Sequence, residues 1–87
     1  MPYIDREQRE WMEKVVREVT ERISGGMTTG EFAYLLAKEL QAFQQGQKFV
    51  DIALVVGVLE TAKLEFVRRV LNPYEDAKRE ENGDVYP

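Results

Sequence analysis

The chain reads as a succession of apolar stripes broken by short polar stops. Trp11, Met12, Val15, Val16, Val19 and Ile23 recur at the spacing of one helix face. Asp5, with Gln8 three residues later, supplies a capping-box pattern ahead of them. Glu10–Lys14 and Glu13–Arg17 fall four apart on the solvated side, where such pairs support a helix. Ser24-Gly25-Gly26 stops it, because glycine readily takes the left-handed conformation that ends helices. A second box, Thr28 with Glu31, opens a stripe of Phe32, Leu35, Leu36, Leu40 and Phe43. The polar run from Gln44 to Lys48 closes it.

From Phe49 to Leu71 the pattern changes. Up to Leu59 nearly every position is apolar, broken only by Asp51. Its valines make a strand conceivable, but the continuation at helical period through Leu64, Val67 and Leu71, and the length, predict a helix. A helix apolar all round must be covered all round, and two short neighbours do not suffice. Ala53 and Gly57, four apart, form a notch where another helix can come close. The expectation is a homodimer built on paired third helices with Ala53 and Gly57 as its contact. The alternative is a monomer with this helix at the bundle centre.

The ending from Asn72 to Pro87 carries start signals of its own. Asn72 as cap, Pro73 in the first turn and Glu75 at the third position predict a short fourth helix, broken by Asn82-Gly83. It has no apolar stripe, so Tyr74, Val85 and Tyr86 must pin it to the bundle or to a neighbouring subunit. The expected fold is therefore all-α: a small bundle of three main helices plus a short C-terminal helix. It forms one domain over residues 1–87, with the acidic segment 73–87 docked on it.

Composition narrows the chemistry. With no cysteine and no histidine among 87 residues, thiol nucleophiles, disulfides and the commonest transition-metal ligand are excluded. The start is charged without an apolar leader segment, and no apolar stretch is long enough to span a bilayer, so a cytoplasmic protein without a membrane partner is expected. Of the net charge of −4, residues 73–87 carry five acidic and two basic groups. The rest is balanced, which argues against nucleic acid as a partner.

Two constellations could carry chemistry. Glu7, Glu10 and Glu13, and Glu18 with Glu21, line helix faces in the E-x-x-E manner that all-α nucleotide phosphohydrolases use to hold magnesium. The accompanying E-x-x-D spacing occurs only at Glu81 and Asp84, across the Asn82-Gly83 break, so a salt-bridged surface is the favoured reading. Glu60 with Lys63, and Glu65 with Arg68 and Arg69, are helical pairs. Lys63, Arg68 and Arg69 could instead receive an anion, and Glu60, next to the apolar run, could be partly buried and so need a partner. Neither a catalytic residue nor a cofactor is assigned.

The opening Met1-Pro2-Tyr3-Ile4, the stretch GEFAYLLAKEL (30–40) and the ending GVLETAKLEFVRRVLNPYEDAKREENGDVY (57–86) resemble a family of short bacterial and phage proteins of unknown function. The resemblance covers nearly the full length, and PYEDAK…ENGDVY is its most distinctive part. It implies a small helical protein with a phage association and no transferable activity. It marks a shared surface of Glu60, Lys63, Arg68, Arg69, Tyr74, Glu75, Asp76, Asn82, Gly83, Asp84 and Tyr86. The expected function is a non-enzymatic, homo-oligomeric protein-interaction module with an unknown protein partner. The alternative is a magnesium-dependent phosphohydrolase.

Overall fold

The structure, a computed structural model, describes residues 3–87. Met1 and Pro2, part of the opening that carries the resemblance, lie outside the described residues. The chain is all-α: α1 (Arg6–Ser24), α2 (Thr29–Phe43), α3 (Phe49–Phe66), a π turn (Val67–Leu71) and α4 (Asn72–Asn82). The valine-rich run is helical, as its length and continuation required. The backbone divides into two compact units, residues 3–55 and 56–87.

In the unit of residues 3–55, side chains set the helix ends. Asp5 accepts the Gln8 backbone N–H at 2.9 Å, and its own N–H donates to the Gln8 side chain at 3.2 Å. Gly26, at φ 110°, takes the positive-φ conformation that the stop after α1 requires. Thr28 accepts the Glu31 N–H at 3.1 Å and donates its own N–H to the Glu31 carboxylate at 2.8 Å. That backbone bond, and then the Thr28 hydroxyl, hold the Glu31 carboxyl below the usual glutamate range. Asp51, which reads in the sequence as an interruption of an apolar run, reaches back to accept the Lys48 N–H at 3.1 Å. It therefore satisfies a first-turn donor of α3 that would otherwise lack a partner.

In the unit of residues 56–87, the helix runs from α3 through the π turn into α4 without a break. Here the sequence expectation needs correcting. Asn72 does not cap a separate helix; it is helical itself, and its N–H donates to the Val67 carbonyl five residues back. The cause is Pro73. Proline offers no N–H and its ring crowds the carbonyl four residues before it, so an ordinary α turn here would lose a bond and meet a clash. Widening to a π turn accommodates both. α4 ends as expected, with Gly83 at φ 91° and its N–H on the Arg79 carbonyl at 2.8 Å. Beyond it, Asp84 accepts the Tyr86 N–H at 2.9 Å.

No described residue is buried. Met12, Met27, Leu35, Leu40, Val55 and Val67 are half-buried. The other large apolar side chains of the stripes stand exposed.

Candidate functional site

The residues singled out in the sequence lie mostly on the helix of residues 56–82 and the segment after it. Lys63 Nζ meets the Glu60 carboxylate at 3.1 Å. Glu60 is exposed rather than partly buried, with Lys63 as its partner. The more enclosed carboxylate is Glu65, with its side chain 22% exposed, which accepts both forks of Arg68 at 2.6 and 3.1 Å. The sequence shows the spacing of Glu65 to Arg68 but carries no signal that Glu65 belongs to the site. Glu65 occupies the Arg68 guanidinium and Glu60 the Lys63 ammonium, so two of the three basic members of the anion-receiving cluster are already paired within the helix. Asp76 pairs with Arg79 at 3.8 Å and Lys78 with Glu81 at 3.6 Å. Asp76 thus has a basic partner on its own helix. Such exposed pairs each contribute only about 0.3–0.5 kcal/mol.

Tyr74 is 57% exposed, with Lys78 Nζ 5.8 Å from its ring centre, and Tyr86 is 79% exposed. Gly83 ends α4, Asn82 is its last residue, and an open hollow beside it is lined by residues that include Arg79, Asp84 and Tyr86. Ala53 and Gly57 stand one turn apart on α3, and a methyl at Gly57 would meet nothing within 4 Å.

The carboxylate alternative required acidic groups to meet. Among the described residues no three metal-ligating side chains come together as a cation site would need. Glu81 lies on α4 and Asp84 beyond its end, so they do not form one helical pair. No described helix is long and apolar enough to cross a membrane.

Against known proteins, one comparison is informative. The family model described as Domain of unknown function (DUF6899) matches residues 1–85. The chain belongs to this family. No curated protein and no solved structure matches it. Since the match spans both units, family membership applies to the stripes of α1 and α2 as much as to the polar ending.

Proposed function

We propose that this family member is a non-enzymatic protein-interaction module that works as a homodimer, its third helices paired. The observation that supports the reading is the state of the apolar residues. Eleven large apolar side chains between Phe49 and Leu71 are at least 43% exposed. At roughly 90 Å² each they present on the order of 1,000 Å², spread round the helix, so a share of it on one side is available to a partner. Exposed apolar patches beyond a few hundred Å² mark contact surfaces in soluble proteins. The open notch at Ala53 and Gly57 is the alternative place for that contact. The exposed tail, with Tyr74, Tyr86 and Asp84, is a surface for the second copy or for a further protein partner. The absence of cysteine suits a cytoplasmic setting, and the resemblance of the ending supports a bacterial or phage origin.

Light scattering across a dilution series tests this. It should give about twice the 10.1 kDa chain mass. A clean monomer at high concentration would remove the proposal.

A further inference from the structure

The helix of residues 56–82 carries a row that is its own complement. Val56, Leu59, Lys63 and Phe66 follow one another at alternating steps of three and four residues, the spacing of a coiled-coil seam. Continued on an ordinary α-helix, the row would pass to Val70 and Pro73. A π turn takes one residue more than an α turn, so after it the row passes to Leu71 and Tyr74 instead. All six side chains are between 43% and 64% exposed, and all belong to one unit.

Lys63 is the sole charged member. In a parallel pair, two such helices would set Lys63 against Lys63 across the seam, and the tail with five acids and two bases against its own copy. Antiparallel about an axis at the middle of the row, Val56 falls opposite Tyr74, Leu59 opposite Leu71 and Lys63 opposite Phe66. An ammonium beside an aromatic ring is attracted, whereas two ammonium groups repel. A lone polar residue in a seam commonly sets direction and register at some cost in stability.

We infer that two copies of the chain pair antiparallel through this row, with the two-fold axis between Lys63 and Phe66 and each Lys63 over the partner copy's Phe66 ring. This rests on the homodimer reading and adds its direction and register. The π turn then has a role: it keeps Leu71 and Tyr74 in line with the residues before it.

The natural absence of cysteine makes cross-linking a clean test. A Leu59→Cys chain is mixed with a differently tagged Leu71→Cys chain and oxidised. The mixed disulfide should dominate, because only antiparallel pairing brings these two positions within reach. Leu59→Cys alone should stay uncross-linked, since copies of residue 59 lie roughly 17 Å apart along such a pair. Efficient self-cross-linking at position 59 would overturn the direction while leaving the homodimer standing. A wild-type monomer would overturn both. Phe66→Ala should keep its helix content by circular dichroism and raise the dimer dissociation constant at least tenfold. An unchanged constant would sink the row.

Discussion

Gly46 offers the sharpest test of local energetics. A methyl built there would stand 2.5 Å from Asp51 Oδ2 and 3.1 Å from its Cγ, closer than atoms tolerate. The Asp51 carboxylate is held in place by the Lys48 N–H at 3.1 Å. Gly46→Ala must therefore push that carboxylate away, and the start of α3 loses its bond. Losing such a helix-start bond costs about 1 kcal/mol. Against this, alanine restricts the unfolded chain and returns about 0.4–1 kcal/mol, since Gly46 does not need a positive φ. The single substitution should be mildly destabilising, by up to about 1 kcal/mol. Asp51→Ala should cost about 1 kcal/mol on its own. The decisive figure is the cycle. Once Asp51 is alanine the obstruction has gone, so Gly46→Ala should become stabilising by about 0.4–1 kcal/mol. Urea unfolding of the four proteins at one protein concentration measures this. In thermal unfolding, each kcal/mol should appear as a shift of about 4–8 °C. If Gly46→Ala has the same effect with and without Asp51, the carboxylate is not what Gly46 makes room for, and the reasoning fails.

Three further outcomes are expected. Gly57→Ala replaces a helix-interior glycine where nothing lies within 4 Å, so it should stabilise the chain by about 1 kcal/mol with dimer mass unchanged. Loss of dimer mass at intact helicity would move the contact to the Ala53–Gly57 notch and away from the row through Lys63. Pro73→Ala gives residue 73 an N–H for the Arg69 carbonyl. The π turn should relax, amide exchange in α4 should slow, and the dimer should weaken as Tyr74 rotates out of line; unchanged exchange and mass would refute this account of the turn. The Glu31 carboxyl is held below its ordinary pKa, so its contribution to stability is complete above that ordinary value and is lost as pH falls through the depressed one. Thermal midpoints between about pH 3 and pH 6 should therefore fall less steeply for Glu31→Gln than for the wild type; parallel curves would show that this carboxylate is not the source.

Where signals were local and unambiguous, the sequence was sufficient. Both capping boxes form from the residues that announce them, and glycine takes the positive φ near the end of α1 and just after α4. Each depends on a few adjacent residues whose geometry has one good solution. The same locality misleads at Asn72-Pro73. An asparagine followed by proline and, two residues on, glutamate looks like a helix start, and nothing in those residues tells whether a helix already precedes them. A preceding helix with strong apolar and ion-paired support can continue through proline by widening one turn, and here it does. Asp51 misled for a related reason: its bond is to a donor three residues earlier, in a run read for its apolar content.

The candidate surface was legible as a set of residues but not as an arrangement. Glu60, Lys63, Arg68, Asp76 and their neighbours were marked as chemistry-bearing, yet spacing alone allowed them to gather as an anion site or to pair off. Pairing off is what the helix geometry yields, because side chains three residues apart meet without bending any backbone. That neutralisation has a consequence for function. With Lys63 and Arg68 engaged within their own helix, a small anion gains little there, while an apolar row with one tethered charge gains much from a matching copy. The row in turn depends on the feature the sequence concealed. Without the extra residue of the π turn, Tyr74 would fall out of line with Val56, Leu59 and Phe66, so the turn imposed by Pro73 and the seam around Lys63 stand or fall together.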